Sequence, residues 1–520
     1  MKRFGTTPVK QIDRIINVAE GKIKGIAANN PAYTIFRGVP YAQPPVGELR
    51  WQAAAAPKSW EGIRNCDVFP AVSIQAEQVE GSFYQKEFFP EAVLMSEDCL
   101  YLNVWTPDTT GTKKLPILFY IHGGAFISGY SWEMEFDGEA MCRRDCILVT
   151  VSYRLGALGF FAHPGLSGTA TNRISGNYAI SDCIQALKWV RENAKAFGGD
   201  ADNITIFGQS AGGAMVQSLI TCPPAKGLFQ RAIIQSAGGI STLGAGFTLE
   251  KMEKLGEDIS RKLDKSLNEL KTMEAAEVTR EISKAMNELM GFGLYFNPCT
   301  DGYYQPKLSG EAIAAGEHHE IDIMTGSVSG DGNLFAGWPA KSVEEFNTGI
   351  CSMYQEFSED YLTLYNVKTM DDLVRIQETR KKVISLLSPR SWAFAELKNN
   401  RKPLYIYYFT RRMPGDDAGA YHSSELWYIF GTLDRSWRSM SQDFEMGDYK
   451  LSRAMTDYWC NFAKTGNPNG ATVPVWNPFT ADAPMTLVLD EKQMKNQDLG
   501  EVYLLDEHVR LQHRQILGNW

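Results

Sequence analysis

Gly208-Gln209-Ser210-Ala211-Gly212 sets one serine between glycines two residues before and two after it. The apolar alternation of 203–207 predicts a buried strand leading into it, and 213–220 predicts a helix leading away. Strand, tight turn and helix around Gly-x-Ser-x-Gly is the nucleophile-elbow pattern. It forces the serine into a strained backbone conformation and leaves its hydroxyl exposed at the top of a sheet. The flanking glycines keep side chains from colliding in the turn. Such a serine is suited to attack a carbonyl, with the Ala211 N–H facing the same space.

A serine hydroxyl is a weak nucleophile at neutral pH. It needs a base, a carboxylate to orient the base, and donors for the developing oxyanion. In this pattern the chain order is serine, acid, histidine. Five histidines follow Ser210: His318, His319, His422, His508 and His513. His422 lies in a loop after the apolar run 405–409, which would put it above the carboxyl edge of a sheet. His318 and His319 lie in a polar stretch, and His508 and His513 on a polar terminal helix, where the expectation is solvent exposure. For the acid, Asp331 ends the run 323–328 in a Gly-flanked turn; an Asx-turn residue would look the same, and Asp322, Glu317 and Asp301 compete. His122-Gly123-Gly124 follows the apolar run 117–121 and fits a second donor loop, with Gly123, Gly124 and Ala211 as candidate oxyanion donors and His122 as a structural hydrogen-bonding residue. Phe89, Phe126, Trp132, Met134, Leu334, Phe335 and Trp338 lie near these loops in sequence; each alone is more often core than pocket lining, and as a group they point to an apolar, aromatic pocket.

These residues need a sheet beneath them. Strands are expected near 33–36, 100–105, 117–121, 147–153, 203–207, 405–409 and 485–489, with 37–45 as an extended loop. Helices are expected over 180–197 and 501–517. Such alternation predicts an α/β fold, a mostly parallel sheet with helices on both faces. The Lys-, Glu-, Leu- and Ala-rich stretches around 248–290 and 343–400 read as helical insertions forming pocket walls. Over 520 residues no repeat or low-complexity border appears, so the chain reads as one catalytic domain spanning 1–520.

Composition narrows the partners. Hydrophobic residues make up 44% and charged residues 22%, an ordinary globular balance. A net charge of −9 argues against nucleic acid and anionic membranes as partners. No apolar run approaches the roughly 18 residues of a membrane span, and the N-terminus lacks a secretory h-region, which favours a cytoplasmic setting. Nine cysteines, odd in number and irregular in spacing, read as buried thiols; Cys142 and Cys146 have no histidine cluster that would suggest zinc. Oligomeric state is not encoded in any of these features.

The chain resembles the type B carboxylesterase family of α/β-hydrolases, which includes bacterial para-nitrobenzyl esterases, animal carboxylesterases and cholinesterases. The likeness runs from about residue 17 to beyond 500. It includes 36–42 (Phe-Arg-Gly-Val-Pro-Tyr-Ala), 97–107 around Glu97-Asp98-Cys99, 153–160, and Phe197-Gly198-Gly199-Asp200 leading into the elbow. The resemblance implies an α/β-hydrolase fold and a small-molecule ester substrate, hydrolysed without metal or cofactor by Ser210 as nucleophile, His422 as base and Asp331 as acid. It also implies a supporting place beside them for Gln209 and Ser236. Three departures bear on substrate. The family's acid is commonly glutamate, one methylene longer than Asp331. Gln209 stands where glutamate is frequent, and Phe89 where cholinesterases carry a choline-binding tryptophan; both disfavour a choline ester. Secreted relatives pair the cysteine matching Cys99 with an earlier one, and none stands within 70–73 here, which fits a reduced, bacterial cytoplasmic setting. Small to medium hydrophobic or aryl esters are the expected substrates. An amidase, thioesterase or lipase would carry the same triad, and a non-catalytic binding protein on this fold is the alternative of another class.

Overall fold

A computed structural model describes residues 14–89, 92–240, 247–291, 293–335, 339–441, 444–499 and 503–517. Three short strands, β1 (Ile15–Val18), β2 (Gly21–Lys24) and β5 (Ile63–Asn65), form a small sheet near the N-terminus. The large sheet has eleven strands: β3 (Ile26–Ala27), β4 (Thr34–Pro40), β6 (Tyr101–Thr106), β7 (Leu115–Ile121), β8 (Ile147–Val151), β9 (Gly199–Gln209), β10 (Arg231–Gln235), β11 (Asp322–Val328), β12 (Tyr405–Phe409), β13 (Met485–Leu489) and β14 (Met494–Asp498). Their order is β14-β13-β12-β11-β10-β9-β7-β8-β6-β4-β3. The seven from β13 to β8 are parallel; β14 at one end and β6, β4 and β3 at the other are antiparallel.

The central strands are apolar throughout because both faces are covered. All seven residues of β7 are buried. Ile117, Phe119 and Ile121 pack into one core with the helices Tyr178–Asn193 and Ala211–Ile220. Leu118 and Tyr120 point the other way, into a second core with the helix Met446–Thr465. The alternation of a strand thus fills two cores from one segment.

Two expectations change at their edges. The 37–45 stretch is strand as far as Pro40, because Val39 and Pro40 pair with Leu102 and Tyr101. Its register shifts between Phe36 and Val39, and Gly38 there has φ 66°, the left-handed bend that disguises the strand in sequence. The stretch expected over 180–197 is an α-helix only to Asn193, tightens to a 3-10 turn over Ala194–Phe197 and stops at Gly198, φ 75°. The helical stretches hold Leu249–Lys262, Leu267–Thr272 and Ala275–Met290, then Val343–Tyr354, Ser358–Tyr365 and Met370–Lys398. Ser266 with Glu269, and Thr369 with Asp372, form capping boxes that start two of them. The second group packs with the terminal helix Tyr503–Leu517 around a third core.

Candidate active site

Five neighbouring strands, β12, β11, β10, β9 and β7, deliver their carboxyl ends to one edge of the sheet. Past those ends stand Asp331, Ser236, Ser210 and the Gly123–Gly124 pair, with His422 farther along the loop after β12, and all line one cavity of about 1020 Å³.

Ser210 has φ 56° and ψ −126°, a conformation costing roughly 1–3 kcal/mol that the surrounding packing must hold. Glycines make it possible. A Cβ on Gly212 would lie 2.0 Å from Ile121 O, and one on Gly208 would lie 2.5 Å from the Gly212 carbonyl. The Ser210 N–H donates to Gln235 O at 3.0 Å, tying the turn to β10. Ala211 opens the following helix, so its N–H has no intrahelical acceptor. The Gly123 backbone comes close on the other side; a Cβ there would meet Gln209 O at 2.9 Å and Ser210 Cβ at 3.3 Å. Gly124, Ala125 and Phe126 all have positive φ, which turns the loop over the elbow.

Asp331 is buried at the start of a short helix after β11. Its Oδ2 accepts from Val328 N at 3.2 Å, and its Oδ1 lies 2.5 Å from His422 Nδ1. The two loops touch through Gly330, whose N–H donates to Ala420 O at 2.9 Å and where a Cβ would lie 2.2 Å from that oxygen. The histidine loop is anchored below by Tyr421, whose hydroxyl donates to Glu87 Oε2 at 2.7 Å, while Glu87 pairs with the fully buried Arg438 at 2.6 Å.

The imidazole faces two demands. Burial would lower its pKa, but the charge of Asp331, its hydrogen bond, and the charge of Glu425 outweigh that and raise it above the ordinary histidine value. Its Nε2 lies 3.2 Å from Gln209 Nε2. Ser423 Oγ donates to Gln209 Oε1 at 3.0 Å, so the amide turns its NH2 toward the ring. His422 Nε2 must then be an acceptor, with its proton on Nδ1 facing Asp331. The Gln209 amide thus occupies His422 Nε2, the ring nitrogen turned away from Asp331.

Other expected residues fall on both sides of the cavity wall. Phe89, Phe126, Leu334 and Phe335 line it, and Phe335 sits edge-on to His422 with centroids 5.3 Å apart. Trp132 does not line it: the ring stacks on Phe69 at 5.2 Å and its Nε1 donates to Pro70 O at 3.2 Å. Met134 packs in the second core instead. Trp338 lies outside the described residues. His122 is buried, is held near pKa 4 by burial, stacks on Tyr153 and donates from Nδ1 to Gly123 O at 2.9 Å. Ser236 lines the cavity with a buried hydroxyl that has no partner among the described residues. His318 and His508 are not solvent-facing: His318 Nε2 lies 2.9 Å from Glu396 Oε1, and His508 lies among Tyr354, Tyr361 and Tyr365. Sequence reading passed over Glu425, a fully buried carboxyl pushed up to about 7 by burial and by Asp331. Its signal is the His-x-x-Glu spacing, which brings it one turn beyond His422.

Residues 12–503 match the model of the carboxylesterase family. The chain belongs to the carboxylesterase family. It is 33% identical to a fumonisin B1 esterase from Sphingopyxis macrogoltabida over 475 residues, 88% of this chain and 83% of that one. It is 32% identical to the para-nitrobenzyl esterase of Bacillus subtilis over 495 residues, 92% and 95% of the two chains. The solved carboxylesterase of Geobacillus stearothermophilus superposes with a TM-score of 0.78 at 30% identity, covering 95% of this chain and 99% of that one. The fold is therefore the α/β-hydrolase fold, and the protein is a serine carboxylesterase acting on small-molecule esters. Among the described residues no helix is long and apolar enough to cross a membrane.

Proposed function

We propose that this carboxylesterase works through an acyl-enzyme on Ser210. The observation that carries the reading is the 2.5 Å contact of His422 Nδ1 with Asp331 Oδ1, beside the strained elbow and in the same cavity. His422 exchanges the Gln209 amide for the Ser210 hydroxyl, takes its proton from Oγ onto Nε2, and Oγ bonds to the ester carbonyl carbon. Asp331 holds the tautomer and stabilises the imidazolium. The N–H groups of Gly123, Gly124 and Ala211 receive the oxyanion, each donor being worth roughly 3 kcal/mol of barrier. The C–O bond breaks, His422 gives the proton to the leaving alcohol, and water repeats the sequence on the acyl group. No step calls for a metal or cofactor.

Phe89, Phe126, Leu334 and Phe335 support small to medium hydrophobic or aryl esters, as does the likeness to a para-nitrobenzyl esterase. We read the sheet and its helical insertions as one catalytic unit. The nine cysteines are unpaired and eight are buried, which supports a reducing, cytoplasmic compartment. The test is Ser210→Ala on 4-nitrophenyl butyrate: kcat should fall by about 10^5 to 10^6. Full activity in that variant overturns the reading.

A further inference from the structure

One wall of the cavity carries polar groups that this mechanism leaves unused. Tyr120, on β7, and Glu133 and Glu135, on the loop beyond Gly129, all line it. They are 1%, 8% and 1% exposed. Glu133 Oε1 accepts the Tyr130 N–H at 2.9 Å. The Glu133 and Glu135 carboxyls lie within hydrogen-bonding reach of each other. No donor group among the described residues reaches Glu135 Oε2, and the Tyr120 hydroxyl has no partner there either. Nor does either carboxyl form an ion pair among the described residues. Around the Tyr120 ring stand the rings of Phe136, Phe207 and Phe430, with centroids 4.7, 4.8 and 5.1 Å from its own.

Two buried carboxyls and a buried phenol, short of donors and facing a substrate cavity, are costly unless something supplies N–H or O–H groups and positive charge. We propose that this wall is a subsite for a primary ammonium group carried by the ester substrate. Three N–H donors of an alkylammonium match three acceptors, one on each of Glu133, Glu135 and Tyr120. A quaternary ammonium has no donor to offer, which separates this subsite from a choline site. The inference deepens the reading above and rests on it, since it takes this cavity as the place where the ester binds.

The charge balance is consistent with it. Burial pushes Glu133 up to about 7, and burial together with the Glu133 charge pushes Glu135 well above the ordinary carboxylate value. Near neutral pH the empty pair therefore keeps a proton. An arriving ammonium favours the ionised form, and the displaced proton leaves to solvent. The other titratable groups facing this wall are Tyr153 just beyond β8, His122 beyond β7, and Glu425 beside Tyr120. His122 is already neutral near pH 7, whereas Glu425 titrates in the same range as Glu133 and must be separated from it.

The test is competitive inhibition of 4-nitrophenyl butyrate hydrolysis by n-butylammonium and by n-butanol. The ammonium should bind about tenfold more tightly than the alcohol at about pH 8, and this ratio should shrink toward about pH 6 as the carboxyls take up protons. Tetramethylammonium should gain no such advantage. Glu135→Gln should bring the ratio close to one and remove most of its pH dependence, leaving any part due to Glu425. Tyr120→Phe should lower it by a few fold. If Glu135→Gln does not fold, the amine-to-alcohol ratio at about pH 8 in the wild-type enzyme and its fall in Tyr120→Phe decide. Equal inhibition by amine and alcohol at every pH, or an unchanged ratio in folded Glu135→Gln, overturns the subsite. Absent hydrolysis of the butyrate ester counts against the catalytic reading alone; calorimetric binding of n-butylammonium against n-butanol then tests the wall directly.

Discussion

Around Ser210 one added carbon strikes main chain: a Cβ on Gly212 lies 2.0 Å from Ile121 O, and one on Gly330 lies 2.2 Å from Ala420 O. On the rim of the same cavity, Leu334 and Phe335 remain 50% and 39% exposed, with room to change shape. The elbow and the loops that carry Asp331 and His422 are held by backbone against backbone. On the rim, the Leu334 and Phe335 backbone belongs to the short helix after β11, but their side chains stay partly open to solvent. The proposed chemistry thus sits where an added carbon would strike main chain, and the proposed substrate contacts sit on side chains with room to vary.

That contrast breaks first at the carboxylate. Asp331→Asn should keep the fold and lower kcat by about 10^4, because the amide no longer fixes the Nδ1–H tautomer of His422. A loss below tenfold in steady-state hydrolysis would mean that another group, Glu425 being nearest, orients the ring. Gly212→Ala comes next. Its methyl must displace β7 from the elbow, so stability should drop by about 3 kcal/mol in urea unfolding and kcat by about 10^2. Truncation on the rim, Phe335→Ala, should leave the unfolding midpoint nearly unmoved. If both cost alike, the distinction between the two regions fails.

The pH profile sharpens the picture at smaller scale. The proposed base, His422, would act only when neutral, and its pKa is raised, so kcat/KM should climb with pH through a midpoint above 6.5 and then level off. Gln209→Glu puts a carboxylate beside Nε2 in place of an amide donor; the midpoint should rise further, by about one unit. A midpoint that stays put would show that the Gln209 contact does not survive in the working enzyme. Smallest of all, Leu334→Ala should change KM by about threefold between butyrate and octanoate esters with kcat nearly constant.

How much of this could be read beforehand follows the same division. The elbow, β7 and β12 were legible because parallel strands buried on both faces appear as unbroken apolar runs, and because glycine spacing records backbone contact directly. The rest was hidden where a partner distant in sequence decides the outcome. His318 reads as a surface residue until Glu396 is beside it, and Trp132 as a pocket wall until Phe69 stacks on it. Pro40 looks like loop until Tyr101 pairs with it. Glu133 and Glu135 read as ordinary acids two apart, and only the fold turns both inward with Tyr120.

The central claim is that one hydroxyl, at Ser210, carries the acyl group. It is tested most directly by treating the enzyme with a fluorophosphonate ester and locating the adduct by peptide mass spectrometry. The account predicts one phosphonyl group per chain, on Ser210, with hydrolysis lost in step with labelling. An adduct on another serine, such as Ser236, or full labelling of Ser210 with hydrolysis intact, would contradict it.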